Sequence, residues 1–554
     1  MNVDHWARPC LWHRRRLPVV QRTGWGKSLV YFIATKLLRE LGRGPTIVVS
    51  PLLSLMRNQL EAAEHLALSA DTMNSTNRES WADIKLALQS DKIDLLLVFP
   101  EQVNSPHFSV DVLPAMPLGP GLVVVDEAHC ISDWGHDFRP DYRRIARLVK
   151  QLPRNVPVLG ATATANQRVV ADVAEQLGPD IDVQRGPLAR PSLTLQTIRL
   201  SDQAERLAWL AEHMNHLPRT GIVYCLTVAD CERVATWLCQ QGIDALAYHA
   251  KVASDGEGRN SIRLDLEQRL KANSCKALVA TVALGMGYDK PDLDFVVHYQ
   301  RPGSVVAYYQ QVGRAGRSID HAVGVLLNGR EDDEIQEYFI QAAFPDMEQT
   351  LSVVQLLERQ GELTLSQIMQ QVNLPATSVT RILKFLTPDG VVGREKSQYF
   401  RTANPIVIHL PRQEMVTRLR RAELARMQEF VNHSGCLMEF IAKELDDPFA
   451  EPCGGCASCR GDVVPRVVSP DLVQLAVRFL QRDCRLVEPR KQWKAMGHPE
   501  KRGAIPEHLR VEQGRALCMW GAAGWGTLVR DGKYDADCLS DELVEAVAEM
   551  IERY

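Results

Sequence analysis

The stretch that most constrains this chain is Leu122-Val123-Val124-Val125, followed at once by Asp126-Glu127-Ala128-His129. Four β-favouring residues without polar alternation read as a strand buried on both faces, as in a parallel sheet covered by helices. The run ends in two adjacent carboxylates, and the carboxyl end of a strand is where doubly wound sheets bind ligands. One acid there can hold Mg²⁺ through water, and the other can orient or deprotonate an attacking water. Standing alone, the stretch reads first as a strand end with an acidic turn.

A second stretch decides between these readings. Leu17 to Val20 reads as a short strand, Arg22-Thr23-Gly24-Trp25-Gly26-Lys27-Ser28 as a glycine loop, and Leu29 to Leu41 as a helix. Strand, glycine loop, Lys-Ser and helix form the context a phosphate-binding loop requires. Backbone N–H groups and the helix N-terminus face the phosphates, Lys27 supplies a point charge, and Ser28 can ligate Mg²⁺. The strict pattern has Gly where this chain has Gln21. With the paired acids about 100 residues downstream, the two stretches together imply nucleotide hydrolysis.

Asp126-Glu127-Ala128-His129 is followed by Cys130-Ile131-Ser132-Asp133-Trp134-Gly135-His136-Asp137-Phe138-Arg139-Pro140. This combination resembles the RecQ family of DNA helicases, within helicase superfamily two. The resemblance runs from about residue 17 to about residue 330 and reappears in cysteines between 436 and 459. It implies ATP-dependent unwinding of DNA with 3′-to-5′ polarity in repair or recombination, with ATP and Mg²⁺ at the paired acids. It also implies DNA-backbone contacts from Ser50 to Gln59, including Arg57, and from Pro100-Glu101. His129 would couple the ATP site to DNA, with Thr162 in Ala161-Thr162-Ala163-Thr164 as the link. Trp134, His136, Phe138 and Arg139 form a loop of flat rings and a guanidinium, suited to stacking on unpaired bases at roughly 1–3 kcal/mol each. Packing of those rings into the domain is the alternative. Relatives carry a Gln-containing segment that reads adenine ahead of the phosphate loop, and residues 1–16 show no such pattern. Trp6 and Trp12 lie there instead.

From 17 to about 193, and again from about 194 to 347, apolar strands alternate with helical patterns, which predicts two parallel-sheet lobes. In the second block, Val282 to Pro291 contains Gly285, Gly287 and Asp289, and Asp289 is placed to bond a ribose hydroxyl. Arg314 and Arg317 sit three apart after Gln310-Gln311, so they share a face or a turn. Two guanidinium groups so placed suit the γ-phosphate of ATP bound to the first lobe, as an arginine finger supplied within one chain. Gln310 is assigned beside the nucleotide. The expected fold class is α/β, with two RecA-like lobes followed by a winged helix, a four-cysteine module and a helical C-terminal region.

Residues 348–404 read as the winged helix, with Val379, Ile382, Leu383 and Leu386 on the apolar face of one helix and Thr380, Arg381 and Lys384 on the other. Such units bind DNA or make only protein contacts. The family usually places its winged helix after the zinc module, whereas here it comes before, so the family's strand-separating role is not carried over. A basic helix with Arg412, Arg418, Arg420, Arg421 and Arg426 follows, either a solvated face or a DNA-backbone contact. Cys436, Cys453, Cys456 and Cys459 come next, four thiolates with two Cys-x-x-Cys steps, suited to Zn²⁺ or to an iron–sulfur cluster. The match to the RecQ spacing selects a structural zinc, in a module (405–465) expected to stand outside the core of the lobes. Within 466–554, helices are expected at Leu472 to Leu480, Val511 to Trp520 and Leu543 to Ile551.

Composition sets the remaining limits. A chain of 554 residues is too long for one core. A net charge of −4 gives no global pull toward nucleic acid, so DNA contacts must be local. No run of 18 apolar residues exists, which argues against a membrane span. Thirteen cysteines, mostly scattered, fit a reducing compartment. A cytoplasmic monomer is expected, nucleoid-associated in a bacterium, with ATP and single-stranded DNA or duplex junctions as its ligands. Two other functions stay open: a DNA translocase that does not separate strands, and a zinc and winged-helix DNA-binding protein with residual ATPase.

Overall fold

In the computed structural model the apolar runs Leu17 to Val20 and Leu122 to Val125 lie in strands, and all their residues are buried. The structure describes residues 16–553 except 52, 75–76, 104, 106, 133–144, 146–147, 150–151, 154, 178–182, 201, 251, 253–258, 285–287, 373, 388–389, 406–409, 483–484, 488, 490–492, 494–504, 518–524, 526–527, 530–531 and 533–538. The expected DNA-stacking residues Trp134, His136, Phe138 and Arg139 lie outside the described residues, as do Trp6 and Trp12.

The first lobe is a seven-stranded sheet in the order β3-β4-β2-β5-β6-β1-β7. Its strands are β1 (Arg16–Val20), β2 (Thr46–Val49), β3 (Ala70–Met73), β4 (Leu95–Val98), β5 (Leu122–Asp126), β6 (Val158–Thr162) and β7 (Gln184–Arg185). All its pairings are parallel. Helices α1 (Lys27–Glu40) and α2 (Leu53–His65) follow β1 and β2. The second lobe is a six-stranded parallel sheet in the order β10-β11-β9-β12-β13-β8. It comprises β8 (Leu193–Arg199), β9 (Gly221–Tyr224), β10 (Ala245–Tyr248), β11 (Ala277–Ala280), β12 (Phe295–His298) and β13 (Ala322–Asn328). Helix α3 (Val305–Val312) leads from β12 into the arginine turn. Burial on both faces explains why β2, β4, β5, β9, β11 and β12 show no alternation of polarity, whereas the edge strand β8 does alternate.

The chain divides into two compact units. One holds both parallel sheets together with residues 422–469; the other holds residues 333–421 and the described part of 470–553. In the second unit, α4 (Met347–Gln360), α5 (Leu365–Gln371) and α6 (Ala376–Leu386) pack on a small antiparallel sheet ordered β14-β16-β15. Its strands are β14 (Leu363–Thr364), β15 (Val392–Glu395) and β16 (Gln398–Arg401), so this is a winged helix with its wing at β15–β16. Val379, Ile382, Leu383 and Leu386 are buried as their spacing requires. Arg381 is tied down, donating to the Ala342 carbonyl at 2.7 Å.

Two expectations need correction. Among the described residues of the helix expected over Val511 to Trp520, Gly514–Ala516 is instead a strand paired antiparallel with Arg485–Val487. The helices at Pro470–Arg482 and Asp541–Arg553 match the other two segments. Second, the cysteine module does not stand outside the lobes. Met427 and Phe430 of α7 (Leu410–Asn432), Leu437, Met438 and Ile441 of α8 (Leu437–Glu444), and Cys436 and Cys456 belong to one apolar cluster with residues of both sheets. Aromatic contacts carry this packing: Tyr308 of α3 lies 5.2 Å from Phe430, which lies 5.5 Å from Phe440. A short cysteine-rich sequence gives no hint of what will pack against its helices.

Candidate nucleotide site and cysteine cluster

The glycine loop and the acidic strand end meet because β1 and β5 flank β6 in the first sheet. Both strands deliver their carboxyl ends to the same edge, where a cavity of about 310 Å³ is lined from the first lobe by Thr23, Gly24, Gly26, Lys27, Ser28, Gln59, Asp126 and Glu127. From the second lobe it is lined by Asp289, Gln310, Arg314 and Arg317. Every nucleotide-site residue expected from sequence is therefore brought to one place. Gly24 has φ 73 and Gly26 φ 93, left-handed values that glycine adopts freely. A side chain at Gly24 would also meet Arg317 Cγ at 3.0 Å, so this glycine lets the arginine turn close over the loop.

Burial dominates the electrostatics. It pushes the Asp126 carboxyl up to about 6, with the neighbouring Glu127 charge adding to the shift. Lys27 is lowered, burial outweighing the attraction of Glu127 and Asp126. Asp126 is held from two sides: Gln59 Nε2 donates to Oδ2 at 2.9 Å, and the Glu127 N–H donates to Oδ1 at 3.0 Å. Gln59 Nε2 also donates to the Tyr31 hydroxyl at 2.8 Å, and Tyr31 is hydrogen-bonded in turn to Ser28. The two expected Mg²⁺ ligands are thus joined by a buried bridge through Tyr31 and Gln59. Glu127 sits at φ 49, a left-handed conformation that is strained for a residue with a Cβ. Its Oε2 lies 3.3 Å from His129 Nδ1, which is 3.0 Å from Thr162 Oγ1. His129 therefore stands between the Glu127 carboxylate and the end of β6.

In the second lobe, Arg314 is buried and donates to the Tyr288 carbonyl at 2.8 Å. Arg317 forms an ion pair with Asp289 at 2.7 Å. The residue expected at the ribose therefore restrains an arginine in this structure. Arg57, expected at DNA, faces Glu267 of the second lobe at 3.7 Å.

The four cysteines converge, as their Cys-x-x-Cys steps lead one to expect. Cys436 Sγ is 3.4 Å from Cys453 Sγ and 3.9 Å from Cys456 Sγ, and Cys456 Sγ is 3.5 Å from Cys459 Sγ. All four sulfurs lie within 4.8 Å of one another. A tetrahedral zinc–thiolate cage has sulfur edges of about 3.8 Å, so the arrangement fits such an ion. Although burial opposes it, the Leu437 N–H and the neighbouring thiols bring Cys456 down to about 7, toward the thiolate that a metal needs.

Comparison with known proteins agrees with this geometry. The DEAD/DEAH box helicase family matches residues 6–173, and the helicase conserved C-terminal domain matches residues 204–318. The probable ATP-dependent DNA helicase RecS of Bacillus subtilis (strain 168) is 30% identical over 455 residues, covering 80% of this chain and 85% of RecS. The chain belongs to the RecQ family of ATP-dependent DNA helicases. The RecQ helicase of the same organism is 33% identical over 332 residues, 59% of this chain and 53% of that protein. Mouse ATP-dependent DNA helicase Q1 is 34% identical over 329 residues, 58% of this chain and 49% of Q1. The chain thus spans about half the length of these last two relatives.

Several residues of this RecQ-family site carry no signal in the sequence. Gln59 reads only as part of a DNA-facing helix, and 67 positions separate it from the carboxylate it holds. Tyr31 reads as part of an apolar helix face. Arg190, between the two lobes, belongs to no motif. Gln21, where the strict loop pattern has glycine, is buried against Gly186. Among the described residues no helix is long and apolar enough to cross a membrane.

Proposed function

We propose that this RecQ-family chain hydrolyses ATP between its two lobes and uses the cycle to unwind duplex DNA with 3′-to-5′ polarity, in repair or recombination. One observation carries the reading: a single cavity gathers Lys27 and Ser28, Asp126 and Glu127, and Arg314 and Arg317. Two carboxylates facing a triphosphate would repel it, so their presence beside a phosphate loop makes sense only with a divalent cation and a hydrolytic step.

Thr23, Gly24, Gly26 and Lys27 cradle the phosphates. Ser28 and Asp126 hold Mg²⁺, which when bound neutralises charge on the phosphate oxygens. Glu127 takes a proton from the attacking water, and its strained backbone aims the carboxylate into the cavity. Arg314 and Arg317 stabilise the charge on the transferring phosphoryl group, with Arg317 exchanging its Asp289 partner for phosphate. Gln310 lines the nucleotide, and Asp289, once released, can reach the ribose. His129 and Thr162 relay DNA occupancy, supported by the Glu127–His129–Thr162 contacts. Trp134, His136, Phe138, Arg139 and Arg57 belong to the DNA side. Cys436, Cys453, Cys456 and Cys459 hold a structural zinc. The protein acts as a cytoplasmic monomer on single strands and junctions.

A strand-displacement assay on a 3′-tailed duplex tests this directly. Separation requiring both ATP and Mg²⁺ supports the reading. ATP turnover stimulated by DNA without separation makes the chain a translocase, and DNA binding without turnover makes it a binding protein.

A further inference from the structure

The segment between β7 and β8 is the covalent link from one lobe to the other, and it is held at Leu188, Ala189, Arg190 and Ser192. Leu188 donates its N–H to Asp447 Oδ2 at 2.7 Å, and its carbonyl accepts from the Tyr309 hydroxyl at 2.6 Å. The Ala189 carbonyl accepts from Arg22 Nη1 at 3.1 Å. Ser192 Oγ donates to the Gly316 carbonyl at 2.7 Å. Arg190 lies at the centre, and only 4% of it is exposed. Its Nη1 donates to Thr23 Oγ1 at 3.2 Å, in the phosphate loop, and to the Gly313 carbonyl. Its Nη2 donates to the Gly316 carbonyl at 2.6 Å. Gly313 directly precedes Arg314, and Gly316 directly precedes Arg317.

One guanidinium therefore fastens the turn carrying both finger arginines to the loop that cradles the phosphates. Its acceptors are neutral oxygens, so the buried charge is solvated only by this local geometry. Burial pushes Arg190 down to about 10; Tyr309 opposes the shift, and the positive charges of Arg317 and Arg22 add to it. A side chain at Gly313 would collide with Thr23 Oγ1, so the two lobes touch at this very point. For structural support alone an apolar side chain would be cheaper to bury. A planar fork with several donors is the group that sets the distance between a hydroxyl in one lobe and two carbonyls in the other.

We propose that Arg190 is a positioning residue for ATP hydrolysis: it registers the Arg314–Arg317 turn against the phosphate loop when the lobes close. It touches neither nucleotide nor the reacting atoms and acts through the arginines. The inference rests on the ATPase reading above.

The test compares wild type, Arg190→Gln and Arg190→Lys in steady-state ATP hydrolysis with saturating single-stranded DNA, alongside the affinity for a fluorescent ADP. Misplacing a catalytic group by an ångström costs up to about a hundredfold, so Arg190→Gln should lower kcat by about tenfold or more. Its ADP affinity should stay within about threefold, because ADP leaves the finger arginines idle. Arg190→Lys keeps the charge but not the fork, and should recover part of the loss. In an Arg317→Ala background, Arg190→Gln should cost no more than about threefold, since residues acting as a unit are non-additive. Unchanged kcat in Arg190→Gln overturns the inference. So do parallel losses of kcat and ADP affinity, or losses that multiply in the Arg317→Ala background. Should Arg190→Gln fail to fold, Arg190→Lys takes its place: a kcat loss with ADP affinity retained supports the inference, and an unchanged kcat overturns it. A wild-type protein without ATP turnover would instead overturn the functional reading itself.

Discussion

The two lobes share a parallel-sheet architecture but present opposite chemistry to the cavity between them. The first lobe supplies Asp126 and Glu127, with Lys27 beside them, and its charges are held by a buried hydrogen-bonded scaffold from Tyr31 and Gln59. The second lobe supplies guanidinium groups on a turn beyond the end of a helix, restrained by Asp289, the Tyr288 carbonyl and Arg190. Protonation state is therefore variable in the first lobe, where Asp126 sits at about 6, and fixed in the second, where arginine stays charged at physiological pH. What the second lobe contributes depends on distance alone. The candidate site thus divides into a half tuned by electrostatics and a half tuned by position.

The division can be broken most severely from the second lobe. Replacing Arg314 and Arg317 together by alanine should lower kcat by about 10³-fold or more, with a much smaller effect on ADP affinity. Equal losses in turnover and ADP affinity would mean that the second lobe only binds.

From the first lobe, Glu127→Gln should lower kcat by about 10²–10⁴-fold while Mg²⁺ and ATP stay bound. Near-normal turnover in that variant would take water activation away from Glu127.

Gln59→Leu sharpens the contrast more gently. The lost donor stabilises the ionised form of Asp126, so the acid limb of the pH–rate profile should move to higher pH, and the Mg²⁺ half-saturation should rise by about tenfold. Arg317→Ala should leave that acid limb in place. Asp126 has a folded pKa raised above its unfolded value. The unliganded protein should therefore lose stability as pH rises from about 4 toward 6, visible as a falling thermal midpoint. An acid limb that does not move in Gln59→Leu would show that the hydrogen bond at 2.9 Å does not set the charge of Asp126.

The smallest effect should come from the cysteine module, because none of its cysteines lines the cavity. Cys456→Ser should lose about one equivalent of zinc and lower the thermal midpoint by about 5 °C or more. Because the module shares the core of both sheets, ADP affinity should weaken as well, by about threefold. Metal loss with an unchanged midpoint and unchanged ADP affinity would return the module to independence. Iron in the purified protein would reassign the cluster.

Much of this is legible in the chain alone, and the residues show why. The apolar runs, the Gly26-Lys27-Ser28 helix start and the Asp126-Glu127 strand end carry their meaning within a window of a few residues. Cys453, Cys456 and Cys459 are legible as a cluster suited to a metal because a three-residue step is what a metal knuckle needs. The winged helix follows from one apolar face and a hairpin turn. Contacts between distant positions are not legible. Gln59 reaches Asp126 across 67 positions, Arg190 reaches Gly313 across 123, and Phe430 finds Tyr308 only once helices of two regions are packed. Gly514–Ala516 is a strand because Arg485–Val487 is there to pair with it, which no local propensity encodes. The sequence by itself determined which elements form and which chemistry they carry, since period and spacing are properties of the chain. Only the tertiary structure decided which buried polar groups hold that chemistry in register, because a hydrogen bond's partner is chosen by topology and not by neighbours in sequence.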